Sequence, residues 1–92
     1  MNNILLGKTL KAMYKLSGKT LSQLSDETGL TIDTINNLFY ARVQKPGLAG
    51  VQTLVNAMGF SLQQLITFLD EHPDLPEDCD ITELFTAALA SA

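Results

Sequence analysis

Apolar residues recur along this chain at intervals of three and four, and nowhere do they alternate long enough to make a half-buried strand. The spacing predicts an all-α chain. Leu6, Leu10, Met13 and Tyr14 share one face of a first helix that stops near Ser17-Gly18. Thr20 opens a second helix, with Gln23 three residues on as in a capping box, and Leu21, Leu24 and Thr28 facing inward. Gly29 can take the left-handed conformation that ends it. Thr31 then caps a third helix carrying Ile35 and Leu38. A fourth bears Val51, Leu54, Val55 and Met58 and closes at Gly59. Ser61 and Gln64 make a second capping box, ahead of a fifth helix striped with Leu62, Leu65, Ile66 and Leu69.

Residues 1–70 thus form the main domain, and 71–79 an acidic linker broken by prolines. Residues 80–92 make a further amphipathic helix, with Asp80 and Glu83 as its capping candidates and Ile81, Leu84, Phe85, Ala88 and Leu89 as its stripe. Two placements are open for it: folded back on its own core, or packed against a second copy.

Charge changes this picture more than composition does. The net charge of −4 is the sum of two unlike halves. Before Pro46, six cations (Lys8, Lys11, Lys15, Lys19, Arg42, Lys45) against three acids leave +3. After Pro46, seven acids and no Lys or Arg make −7. A polyanion is attracted by one half and repelled by the other, so each segment must be considered alone. The single cysteine, Cys79, cannot form an internal disulfide, and no Cys/His cluster suits a metal; no cofactor is implied. No apolar run can span a bilayer, and Gly7, Lys8 and Lys11 interrupt the N-terminus too soon for a signal peptide. The expected compartment is a reducing cytoplasm. His72 has no nucleophile or carboxylate paired with it, which argues against an enzyme.

The informative spacing lies in the second and third helices. Ser25 is small enough for two helices to cross closely, Gly29 permits a sharp turn, and Ile35 and Leu38 lock the third helix to the domain. This is the spacing of a helix-turn-helix, whose second helix is held out toward the major groove. TLSQLSDETGLTIDTINNLF, followed by KPGLAGVQTLVNAMGFSLQQL, resembles the lambda-repressor-like, or Xre, helix-turn-helix family of bacterial and phage regulators, over about residues 4–69. The resemblance implies a five-helix DNA-binding domain, usually dimeric, here with an additional C-terminal helix. The chain departs from the family pattern in four places. Leu21 stands for a frequent glutamine, Ser25 for alanine, Phe39 for a glutamate that usually makes an ion pair, and Ala41 for the glycine after the third helix.

With Ile35 and Leu38 inward, the opposite face of helix 31–41 offers Ile32, Asp33, Asn36, Asn37 and Tyr40 as base-reading candidates. Asn36 can pair bidentately with adenine, and Ile32 can meet a thymine methyl. Asn37 and Tyr40 suit groove-edge or backbone contacts. Asp33 is either a first-turn acid favoured by the helix dipole or an acceptor for a cytosine amino group. Phosphate contacts fall to Lys19, Thr20, Gln23, Arg42, Gln44 and Lys45, at the start of the second helix and in the loop after the third. Lys8, Lys11 and Lys15 form a stripe on the first helix, of the kind that usually only meets solvent.

The expected function is sequence-specific regulation of transcription on double-stranded DNA, as a homodimer on a palindromic operator. So few cations give a modest salt dependence, which a dimer would double. The alternative is a protein-binding module, or an antitoxin-like protein, engaging a protein partner through the acidic C-terminal segment.

Overall fold

Short polar side chains set three of the helix starts locally, before any long-range packing is considered. The computed structural model describes residues 3–42, 47–72 and 81–91, with the side chains of Asn3 and Ser91 excepted. Its elements are α1 (Asn3–Ser17), α2 (Leu21–Thr28), α3 (Ile32–Phe39), α4 (Leu48–Ala57), α5 (Leu62–Glu71) and α6 (Ile81–Ser91). Among the described residues there is no strand, so the all-α expectation holds. Both capping boxes form, Thr20 with Gln23 and Ser61 with Gln64, and each satisfies two amides that a helix start leaves open. Thr31 caps α3 through its side chain, which accepts from the Thr34 amide at 3.1 Å.

The turn between α2 and α3 is held from both sides. Gly29 takes a φ of 77°, a left-handed conformation with little steric cost for glycine alone. The Ser25 hydroxyl donates to the Leu30 carbonyl at 2.6 Å, closing the turn from the α2 side. Thr28 donates to the Leu24 carbonyl at 2.6 Å and accepts from the Leu30 amide at 3.1 Å. Ser25 is thus small, as the crossing of two helices requires, and also hydrogen-bonded.

Packing is organised around α1, which touches α3, α5 and α6, while α2 bridges α3 and α4. Leu10, Met13, Leu24, Ile35, Leu54, Val55, Leu65 and Phe85 form the fully buried centre. Thr9 is buried in α1 and is satisfied by donating to the Leu5 carbonyl at 2.8 Å. The position of α3 depends on Gly7. A Cβ built there would lie 2.7 Å from the Leu38 carbonyl oxygen and closer still to that of Phe39. Those atoms belong to the end of α3, and being backbone they cannot swing aside.

Of the two placements open to the last helix, the structure has the first: α6 folds back along α1. Phe85 meets Phe60 and Phe68 edge-on, at ring separations of 5.6 and 5.2 Å. In α5 the buried residues are Leu65, Phe68 and Leu69, whereas Leu62 and Ile66 are only half-buried. The stripe read from the sequence left out Phe68, which faces α6. The helix also runs through Glu71, one residue past the boundary expected, and His72 caps it with Nδ1 3.0 Å from the Phe68 carbonyl. Cys79, Asp80 and the rest of segment 73–80 lie outside the described residues. No helix among the described residues is long and apolar enough to cross a membrane.

Gly7→Ala should cost about 2 kcal/mol or more, because the added methyl overpacks against fixed carbonyls. Gly50→Ala, inside α4 with open space around it, should instead stabilise by up to about 1 kcal/mol through helix propensity. Urea unfolding of both variants checks the pair, and a destabilisation shared equally by them would contradict the packing.

Candidate nucleic-acid interface

An eight-residue helix has too few hydrogen bonds to persist alone, so α3 must be held by its neighbours. Ile35, Leu38 and Phe39 supply that hold from the inward face. Phe39, which stands where the resembled family has an ion-pairing glutamate, is buried and packs its ring 5.4 Å from that of Tyr14. An aromatic contact thus ties α3 to α1.

The outward face of α3 carries the residues expected there. Asp33 is exposed in the first turn, and Ile32 is 39% exposed at the edge of the face. Asn36 and Asn37 are half-buried, so a base edge would reach them only through direct contact with the helix. Thr34 is exposed too, on the first turn between Asp33 and Ile35, and periodicity alone did not single it out. Its hydroxyl lies 2.8 Å from that of Thr31, which ties it to the cap.

Tyr40 ends the helix in a different environment. It is 52% exposed, and the Lys11 ammonium donates to its hydroxyl at 3.0 Å while lying 4.6 Å from the ring centre. The Arg42 guanidinium lies 5.4 Å from the same ring centre. A cation at these ranges is attracted by the ring's negative face. The Tyr40 phenol is drawn below its ordinary ionisation range, first by the hydrogen bond from Lys11, then by the charge of Lys11, and less by Arg42 and Lys15. A cleft of about 250 Å³ opens beside it, lined by Ile4, Lys8, Lys11, Phe39, Tyr40 and Ala41. The structure therefore joins the lysine stripe of α1 to the end of α3.

Ala41 makes this ending with some strain. Its φ is 57°, the left-handed region, and it occupies the position where the resembled family has glycine. The amide of Arg42 donates to the Asn37 carbonyl at 2.9 Å, and that of Ala41 to Leu38 at 3.4 Å. These are the two bonds of a Schellman ending. The geometry is kept although the glycine is not.

At the start of α2, Gln23 accepts from the Thr20 amide through Oε1 at 2.9 Å, which leaves its NH₂ group as the donor toward an anion. The amides of Leu21 and Ser22 occupy the first positions of that helix, where no intrahelical acceptor exists. Lys19 is engaged elsewhere. Its ammonium meets both carboxylate oxygens of Glu27 at 3.0 Å and the Ala57 carbonyl at 2.7 Å. It straps the start of α2 to the end of α4, where a cation also suits the helix dipole. Gln44 and Lys45 fall outside the described residues.

No family model, no curated protein and no solved structure matches this chain. The geometry of its own residues therefore carries the functional reading.

Two measurements probe this surface. Ala41→Gly should stabilise the domain by about 0.5–1 kcal/mol, because glycine relieves the left-handed strain, and chemical denaturation checks it. The Tyr40 phenol should titrate below the ordinary value of about 10, and Lys11→Gln should move it back upward, followed by NMR on ring-labelled tyrosine. An unmoved midpoint in the variant would remove the Lys11–Tyr40 hydrogen bond from solution.

Proposed function

We propose that this chain is a sequence-specific DNA-binding regulator of transcription, built as a five-helix lambda-repressor-like helix-turn-helix domain with α6 added. It inserts α3 into the major groove and acts as a homodimer on a palindromic operator, in the bacterial or phage cytoplasm at the nucleoid. One observation carries this reading. A three-residue turn, held by Ser25, Thr28 and Gly29, joins two eight-residue helices, and the second keeps a polar face outward on the cationic half of the chain.

In this role Asn36 reads adenine and Ile32 meets a thymine methyl, with Asn37 at the edge of the contact. Asp33 accepts from a cytosine amino group and at the same time repels nearby phosphates. Thr20, Gln23 and the free amides of α2 take a backbone phosphate, as helix N-termini do. Gln44 and Lys45, in the loop after α3, complete that set by sequence position alone.

A second reading has its own support. The acids after Pro46, with Asp70, Glu71 and Glu83 on α5 and α6, suit a basic protein partner, as in an antitoxin-like protein. In that case the fold serves protein binding, alone or beside DNA.

Selection from random duplex pools at several salt concentrations separates the two. A regulator should enrich a palindrome whose half-sites lie about one helical turn apart. Failure to bind any duplex at low salt would leave only the protein-binding reading. Within the enriched site, Asp33→Ala should raise affinity for DNA in general while relaxing any preference for cytosine, and an unchanged profile would remove its role in reading.

A further inference from the structure

The stripe of Lys8, Lys11 and Lys15 on α1 is more than a solvated face, because Tyr40 and Arg42 come down beside it from the end of α3. We propose that Lys11 and Tyr40, flanked by Lys8, Lys15 and Arg42, form a second DNA-backbone site, through which α1 takes a phosphate beyond the groove-facing surface of α3. The inference rests on the DNA-binding reading and deepens it. It also moves Tyr40 from base reading to backbone contact.

Three observations support it. First, the cluster is rich in donors. The Lys11 ammonium spends one of its three N–H groups on the Tyr40 oxygen at 3.0 Å, the phenol keeps its own O–H, and Arg42 lies against the same ring. A phosphate oxygen in front of this group meets charge-assisted donors from α1 and from the residues that follow α3. Second, no carboxylate in its own helices offsets it locally. No acid precedes Asp26 in the sequence, and the one acid of α3, Asp33, lies seven residues from Tyr40, about 10 Å along a helix axis. Cations gathered this way repel one another until an anion arrives. Third, there is room. The cleft of about 250 Å³ beside Tyr40 is lined by the apolar Ile4, Phe39 and Ala41 together with Lys8 and Lys11. Apolar groups there meet the sugar edge of a strand without leaving a polar atom unpaired.

The geometry also separates this site from the one at α2. Lys19, the cation nearest the start of α2 in sequence, is bound to Glu27 and the Ala57 carbonyl. Among the described residues the other cations, Lys8, Lys11, Lys15 and Arg42, lie on the α1 side, which concentrates the long-range attraction of the duplex there. A phosphate contact differs from a base contact in what it changes: it sets affinity for every sequence alike and adds to the salt dependence.

The test uses the whole chain and the duplex enriched by selection, beside an unrelated duplex, with binding followed by fluorescence anisotropy across a salt series. Lys11→Gln should weaken both duplexes by a common factor of about threefold or more, and lower the slope of log affinity against log salt by about one. Tyr40→Phe should weaken both duplexes by a smaller common factor and leave the slope unchanged, since it removes a donor and no charge. Lys11→Arg should restore the slope. Lys8→Gln and Lys15→Gln, farther from the Tyr40 hydroxyl, repeat the slope measurement should Lys11→Gln lower the melting temperature. Equal affinity and slope for native and Lys11→Gln protein would overturn the second site while leaving the DNA-binding reading intact. A loss confined to the enriched duplex would also overturn it, because that result assigns Tyr40 and Lys11 to base reading. If the native chain binds neither duplex at low salt, both readings fall together.

Discussion

The backbone of α1 meets the last carbonyls of α3 at Gly7, with no side chain between them. Much of the exposed surface of α3 follows from that contact. Eight residues make two turns of helix, too little to hold their own shape, so α3 exists as far as its ends are held. Its N-terminal end is held by the turn, through Ser25, Thr28 and the Thr31 cap. Its C-terminal end is held by α1, through the approach at Gly7 and the Tyr14–Phe39 ring contact. With both ends fixed and Ile35 and Leu38 buried, rotation of the helix is fixed too, and Asp33, Asn36, Asn37 and Tyr40 face outward as a consequence. A larger residue at 7 would lever the end of α3 away and turn that face.

Two of the four departures from the resembled family, Phe39 and Ala41, lie at this same corner. Phe39 is buried against Tyr14 where a glutamate would need a cation, so the corner is joined by apolar contact and not by charge. That exchange frees the cations nearby from serving the core. Ala41 keeps the Schellman bonds in a backbone conformation that disfavours it, which shows how strongly the surroundings impose the ending. The end of α3 tolerates chemical change because its geometry is over-determined.

Local chemistry was legible in the sequence, and non-local geometry was not. The caps at Thr20, Thr31 and Ser61 and the left-handed Gly29 each depend on residues within a few positions, so a short motif announces them. The inward stripes of α1, α3 and α4 could be read from period alone. Phe68 escaped because two apolar stripes compete in α5, and only the arrival of Phe85 from α6 decides between them. Gly7 looked like an interruption, since nothing within α1 reveals what lies across from it. Lys19 and Lys11 are the clearest cases at the candidate site. Their partners Ala57 and Tyr40 stand 38 and 29 residues away, and periodicity says which face a lysine occupies but not what it meets.

An acidic chain can still present a basic surface if its two charges are kept on different elements. Here the described cations other than Lys19 lie on α1 and just past the end of α3, while α5 and α6 carry acids and no cation. Yet α6 packs along α1, so the opposed charges share one helix as their common support. The arrangement works because α1 divides its circumference. Leu6, Leu10 and Met13 face the core, while Lys8, Lys11 and Lys15 run along the side that reaches Tyr40. At physiological salt, fields between exposed charges fade over about 8 Å, less than the width of one helix with its side chains. A phosphate beside Tyr40 therefore responds mainly to the cations within that range, and the net charge of the whole chain says little about what this corner attracts.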